Sequence, residues 1–286
     1  MFRRRPLSSR VHGCLALEGC LKDKQVDWTL SGGDSAFFVS DVHLGEFASA
    51  DADPSGFLRA LCDRLPDCCT HLFILGDLFE FWAGDDRSPA ARTAFAEALA
   101  AWRRRAVRPA RVFLMHGNRD FLLGAAFLAQ IQAELLSDPC VIEAFGSRLL
   151  LGHGDAWCTD DVDYQRFRCE VRDPAWQHRF LALAPEDRLA RIHALRCASE
   201  AAKHHKAEAI MDVNPQAIEQ AFHRSACERM IHGHTHRPGV HRHGSERIRW
   251  VLPDWDAASR RGGWLCIDAE GARAEGPFGD WADRAS

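Results

Sequence analysis

Short apolar runs that stop abruptly at polar residues set the pattern of this chain. Residues 37–39 (Phe-Phe-Val) run into Ser40-Asp41-Val42-His43. Residues 72–75 stop at Gly76-Asp77, and residues 112–115 stop at His116-Gly117-Asn118-Arg119-Asp120. Residues 149–151 stop at Gly152-His153-Gly154-Asp155, and Met230-Ile231 leads into His232-Gly233-His234-Thr235-His236. Short apolar runs bounded by turn residues predict buried strands. Each predicted strand delivers Asp, His or Asn to its C-terminal end, the edge where open α/β sheets place their sites. The flanking glycines allow a sharp turn and a close approach of backbone to an ion or phosphate.

Helical periodicity fills the gaps. Residues 56–65 place Phe57, Leu58, Leu61 and Leu65 on one face, residues 90–105 are rich in Ala, and residues 121–132 read as a short helix. Residues 137–151 read as two strands joined around Gly146. This alternation predicts a largely α/β sandwich built on βαβ units. From residue 156 to about 225 the chain turns helical between two of the strand-end motifs, which predicts a cap inserted over the site. Residues 248–252 and 264–267 read as strands returning to the core, and the polar tail from Gly271 reads as frayed. Residues 1–34 have weak periodicity and read as a poorly ordered extension or an over-early start. The expected division is an extension over 1–34, a core over 35–155, a cap over 156–225 and a second core part over 226–286.

Composition narrows the class. The 286 residues, 47% apolar, suffice for one large core or a core plus a small cap. A formal charge of −4 gives no reason to expect a nucleic-acid partner. The 11 cysteines are odd in number and include no C-x-x-C pair, which points to a reducing cytoplasm rather than a disulfide framework. No run approaches the roughly 18 apolar residues of a spanning helix. Arg103, Arg104, Arg105, Arg108 and Arg111 cluster near a helix end. They read first as a solvated terminus favouring the helix dipole, and second as a contact for anionic lipid.

Together, Asp41, His43, Asp77, Asn118, His153, His234 and His236 offer imidazoles, carboxylates and an amide oxygen. Without thiolates, that set suits Mn²⁺, Fe²⁺ or Zn²⁺ rather than a Cys-rich structural zinc site. Seven ligands suit two ions, with a carboxylate such as Asp77 bridging a pair roughly 3.5–4 Å apart.

In the cap, a helix entering at Pro185-Glu186-Asp187 and running toward Ile210 puts Ser199, Lys203 and Lys206 on one face, with Arg196 on the same side. That stripe is either solvated or a grip for phosphate. Asp161, in the loop Thr159-Asp160-Asp161, either contacts a sugar or caps the helix starting near Val162. Phe167, Trp176, Phe180, Leu181, Leu183, Ile192, Leu195 and Met211 form either a small cap core or a cleft for acyl chains.

The five strand-end motifs, in the order DxH, GD, GN, GH and GHxH, resemble the calcineurin-like metallophosphoesterase superfamily. Longer stretches are similar to its UDP-2,3-diacylglucosamine diphosphatase family: Gly76-Asp77-Leu78-Phe79-Glu80-Phe81-Trp82, His116-Gly117-Asn118-Arg119-Asp120-Phe121-Leu122, Met211-Asp212-Val213-Asn214 and Gly233-His234-Thr235-His236-Arg237-Pro238. The similarity spans roughly residues 36–268. It implies a β-sandwich flanked by helices with an inserted helical cap. The implied activity is hydrolysis of a lipid-linked sugar nucleotide, UDP-2,3-diacylglucosamine, in lipid A synthesis; another dimetal phosphoesterase acting on soluble nucleotide pyrophosphates is the alternative. It implies two Mn²⁺ ions, one held by Asp41, His43, Asp77 and His236, the other by Asp77, Asn118, His153 and His234. It implies substrate contacts at Asn118, Arg119, Asp161, Ser199, Lys203, Lys206 and His234, with Lys203 standing where some members carry Asn. Asn118 and Arg119 are expected to stabilise the phosphoryl oxygens, and Asp120 to orient a metal ligand. Many superfamily members carry His where Arg119 stands; an Arg cannot donate a proton usefully, which favours a leaving group that needs none. A monomer on the cytoplasmic face of the inner membrane is expected.

Overall fold

The apolar runs become the inner strands of two packed sheets in a computed structural model, which describes residues 25–45, 57, 65, 67–203, 212–256 and 259–282. The first half contains β1 (Gln25–Leu30), β2 (Ser35–Val39), β3 (His71–Leu75), α1 (Ala90–Arg105), β4 (Arg111–Met115), α2 (Ala125–Ile131), β5 (Ala133–Leu136), β6 (Cys140–Ala144) and β7 (Ser147–Leu151). Helices α3 (Val162–Val171), α4 (Pro174–Leu181), α5 (Pro185–Lys203) and α6 (Pro215–Ser225) follow. The chain then forms β8 (Arg229–His232), β9 (Gly239–His243), β10 (Arg247–Val251), β11 (Trp264–Asp268) and β12 (Gly271–Glu275). One six-stranded sheet runs β12-β11-β2-β3-β4-β5 and the other β1-β6-β7-β8-β10-β9. Strands β2 to β5 are mutually parallel, as are β7, β8 and β10.

Side chains on a strand alternate between the faces of its sheet. Ala36, Phe38, Phe73, Leu75, Phe113 and Met115 therefore point inward, against Ile142, Leu149, Leu151, Ile231 and Trp250 of the opposite sheet. Phe38, Phe73 and Phe113 stack in sequence, each ring centroid 4.7 Å from the next. The alternate residues Phe37, Val39, Leu72, Ile74, Val112 and Leu114 point outward, onto Phe95, Leu99 and Trp102 of α1 and Phe127 and Ile131 of α2. On the far side, Val141, Leu150 and Met230 pack on Ile218, Ala221 and Phe222 of α6. The result is a four-layer α/β/β/α sandwich. Strands covered on both faces have no polar side, which is why they read as unbroken apolar runs.

Several expectations need correcting. Strand β1 pairs with β6, so the sandwich starts at Gln25 and not at residue 35; residues 1–24 lie outside the described residues. The tail beyond Gly271 is not frayed: β12 pairs with β11, and Trp281 is buried with its indole N–H donating to the Trp264 carbonyl at 3.1 Å. Helix α6 covers a sheet, so it belongs to the core and not to the cap. Helix α2 starts at Ala125, because Asp85 accepts from the Gly124 and Phe127 N–H groups at 2.9 Å and sets its entry there. Most of the helix expected over 56–65 lies outside the described residues; Phe57 and Leu65 are buried in the core.

Four of the five clustered arginines make hydrogen bonds or ion pairs within the fold. Arg103 donates to the last carbonyls of α2, Ile131 at 2.6 Å and Gln132 at 2.9 Å. Arg105 pairs with Asp67 at 3.1 Å, Arg108 with Asp34 at 3.5 Å and Arg111 with Glu134 at 2.9 Å. In the cap, Phe180 is buried while Trp176, Leu183 and Ile192 pack against the same core, whereas Leu181 and Leu195 stay exposed.

Candidate metal centre and active site

The ends of β2, β3 and β4 from one sheet and of β7 and β8 from the other meet at one rim. Asp41, His43, Asp77 and Asn118 arrive from the first, His153, His234 and His236 from the second. The loops are tight enough to demand glycine. A Cβ on Gly117 would fall 2.0 Å from Asp77 Oδ1, and one on Gly233 would fall 2.1 Å from Asp41 Oδ2.

Two clusters form. In the first, the Nε2 atoms of His43 and His236 lie 3.3 Å apart, with Asp41 Oδ1 3.8 Å and 3.4 Å from them. In the second, Asn118 Oδ1 lies 3.0 Å from His153 Nε2 and 2.9 Å from His234 Nδ1. Asp77 Oδ1 lies 3.8 Å from His153 Nε2. Possible ligand atoms of Asp41, His43 and His236, and of Asp41, Asp77 and His153, all converge within 4.8 Å. Among these carboxylates Asp41 joins both groups, whereas Asp77, the bridge expected from the sequence, falls in the second only.

The donor atoms fit cations. Asp41 Oδ1 is buried without a hydrogen-bond partner, while its Oδ2 accepts from the His234 N–H at 2.8 Å. His153 Nδ1 sits 2.9 Å from the Leu75 carbonyl. That acceptor places the proton on Nδ1 and turns the Nε2 lone pair toward the Asn118 oxygen, also a lone-pair donor. Two lone pairs facing each other call for a positive charge, supplied either by a second ring proton or by a cation. The electrostatics agree. Burial works against charging His153, yet Asp77, Asp41, Asp155 and Asp138 push its pKa up to about 9. Burial and the nearby His153 push His234 down to about 3. Burial opposes ionisation of Asp41, but the close approach of His236 and the charges of His236, His153 and His43 hold it well below the usual carboxylate range.

Supporting residues hold these ligands. Asp254 Oδ2 lies 3.5 Å from His236 Nδ1, and Arg261 fixes Asp254 with two hydrogen bonds of 3.0 and 2.7 Å. Asp138 accepts from the His153 N–H at 3.0 Å, and Arg168 of α3 bridges Asp138 and Asp155 at 2.9 and 2.8 Å. Tyr164 donates to Asp155 at 2.6 Å, and its ring lies over that of His234. Glu80 reaches His43 Nδ1 at 3.0 Å and Arg119 Nη1 at 2.8 Å. Burial favours its neutral form, but His43, Arg119 and Arg196 hold its pKa down at about 2. None of these supports was picked out from the sequence. Two carried a signal: Glu80, three residues beyond Asp77 in a stretch shared with the resembling family, and Asp155, which ends the Gly152-His153-Gly154-Asp155 motif.

Of the expected catalytic and substrate residues, Asn118, Arg119 and His234 meet at the centre. Arg119 donates its N–H to Asp77 Oδ1 at 2.8 Å, and its Nε lies 3.9 Å from Asp77 Oδ2. Asp120 does not face the reacting space: it is fully buried and accepts from the N–H groups of Asp77, Leu78, Phe79 and Gly117 at 2.8–3.3 Å. It shapes the loop that presents Asp77, through the backbone, and is a positioning residue. Asp161 takes the second of its two expected roles and caps α3 by accepting from the Tyr164 N–H at 3.1 Å. Ser199 and Lys203 fall on the last turns of α5, and Lys206 lies outside the described residues. One turn before Ser199, Arg196 brings this helix onto Glu80.

Comparison with known proteins accords with this centre. Residues 35–238 match the family Calcineurin-like phosphoesterase. Proteins named UDP-2,3-diacylglucosamine hydrolase are similar over most of their length. That of Bordetella parapertussis is 43% identical, covering 82% of this chain and 92% of the relative. That of Aromatoleum aromaticum is 44% identical, covering 77% and 89%, and that of Chromobacterium violaceum 42%, covering 83% and 96%. The chain belongs to the calcineurin-like phosphoesterases, and within them to the family of the UDP-2,3-diacylglucosamine hydrolases.

Proposed function

We propose that this chain hydrolyses the pyrophosphate of UDP-2,3-diacylglucosamine by attack of water on the α-phosphorus, releasing UMP and 2,3-diacylglucosamine 1-phosphate. The observation that carries this reading is the similarity of the relatives over the cap as well as the metal motifs. Bound divalent cations, which we take to be Mn²⁺, supply a hydroxide near neutral pH and neutralise phosphoryl charge. Asp41, His43, Asp77, Asn118, His153, His234 and His236 hold them.

The chain's own groups do the rest. Arg119, fixed by Glu80, presents a guanidinium to the phosphoryl oxygens. Its fork also keeps the α-phosphate in register with Asp77. The leaving group is a phosphate monoester whose second pKa is about 6, so no side chain need protonate it. An Arg at position 119 suits that bond. Val162, Leu181 and Leu195 on α3, α4 and α5 are exposed apolar side chains of the cap, in keeping with acyl-chain reading and peripheral attachment at the cytoplasmic face of the inner membrane. No helix among the described residues is long and apolar enough to cross a membrane. We take the protein to be a monomer.

UMP release from UDP-2,3-diacylglucosamine by EDTA-treated protein tests this, with and without Mn²⁺. We expect release that needs the metal and falls away with unacylated UDP-glucosamine. Equal rates on both substrates would replace the lipid assignment with a soluble nucleotide pyrophosphate.

A further inference from the structure

One carboxylate touches three parts of the molecule that are distant in sequence. Glu80 Oε2 lies 3.0 Å from Nδ1 of the candidate metal ligand His43. Its Oε1 accepts from Arg119 Nη1 at 2.8 Å and is also paired with Arg196 Nη2 of cap helix α5. Arg196 Nη1 donates to the backbone carbonyl of the same Glu80 at 2.9 Å. About two turns earlier on α5, Arg188 repeats the grip: it donates to the Ala83 carbonyl at 2.7 Å and pairs with Asp86. Arg188 is buried, and Gly84 makes room for it, since a Cβ there would meet Arg188 Nη1 at 2.3 Å. Two arginines of one cap helix thus clasp the segment that follows Asp77.

We infer that Glu80 is the joint that sets the cap and the metal ligands together. The Glu80 carboxylate lies against the Nδ1 edge of the His43 ring and leaves Nε2 facing the candidate ion site. The negative charge of the same group orients two guanidiniums, one beside Asp77 and one on α5. Helix α5 also carries Ser199 and Lys203, so Glu80 fixes where that helix stands relative to the phosphoryl site. Glu80 is a positioning residue, and this role rests on the metal-centre reading above but not on the identity of the substrate.

The two halves of the joint separate by chemistry. Glu80→Gln keeps an oxygen beside the His43 ring but removes the charge that holds the arginines. Glu80→Ala removes both. Mn²⁺ affinity of metal-stripped protein, measured by competition with a fluorescent chelator, should fall about tenfold in Glu80→Ala and stay close to wild type in Glu80→Gln. Amide hydrogen exchange along α5 should accelerate in both variants. Wild-type Mn²⁺ affinity in Glu80→Ala overturns the inference. So does a wild-type exchange rate in Glu80→Gln, which is near-isosteric and keeps the test readable if the alanine variant does not fold. Neither readout uses substrate. If both behave as expected while wild type leaves UDP-2,3-diacylglucosamine uncleaved, the joint stands and the proposed function falls.

Discussion

Five of the seven candidate ligands hold a backbone conformation that L-residues avoid. Asp41, His43, Asp77, His234 and His236 have φ of 53°, 55°, 51°, 69° and 53°. The left-handed region costs about 1–2 kcal/mol per residue, although Asp and His tolerate it better than most. Neighbouring backbone holds two of them there: the His43 N–H donates to the Asp77 carbonyl at 3.0 Å, and the Asp41 carbonyl accepts from Trp255 at the same distance. Strain concentrated in one site belongs with its function, because it aims the side chains inward from the ends of extended strands. In EDTA-treated protein, His236→Gly should therefore be more stable than His236→Ala by about 1 kcal/mol, read from urea midpoints. Equal midpoints would mean that the fold does not impose this φ. The residue types of the site were legible in the sequence, but the sign of φ was not, because Asp and His occupy extended and left-handed backbone alike.

Among the elements, legibility followed position in the sheet. β2, β3, β4, β6, β7, β8, β10 and β11 were readable as strands because each lies inside a sheet and is paired on both sides. β1, β5, β9 and β12 are the four edges, and all four escaped. An edge strand pairs on one side and meets solvent, so it carries no continuous apolar run. β5 reads Ala-Glu-Leu-Leu with Leu135 exposed, and β12 reads Gly-Ala-Arg-Ala-Glu with only Ala274 buried. The helices on the outer faces were more visible, since their apolar stripes have the right period, but no period reveals that α6 covers a sheet while α5 belongs to the cap. The end of the chain tests the corrected boundary. Trp281→Ala should cost about 3–5 kcal/mol, seen as a large fall in the thermal midpoint. A change near zero would restore the frayed tail.

For the whole molecule, the candidate metal centre is a link between two sheets. Three candidate ligands come from one and four from the other, so an ion held there would bind only the assembled sandwich. Mn²⁺ at 100 times its dissociation constant should stabilise the protein by about 2.7 kcal/mol, and EDTA should remove that gain. A denaturation midpoint indifferent to Mn²⁺ would show that the assembled ligands do not hold the ion. The sequence located this centre through its strand-end motifs. It could not reveal supports built from distant partners: Glu80 and Arg196 are 116 residues apart, and His236 meets Asp254 only because β8 and β10 lie side by side. Such pairs have no local spacing to read.

The polarity of the edge strands also bears on aggregation. An open sheet edge offers unpaired backbone groups to any passing strand, and a flat apolar edge invites fibrils. Here a second copy approaching β9 meets His241, Arg242 and His243, and one approaching β12 meets Arg273 and Glu275. Charged side chains on an edge strand discourage such pairing. Of the four edges, these two set charges between the stacked phenylalanines inside and any strand that approaches from another molecule.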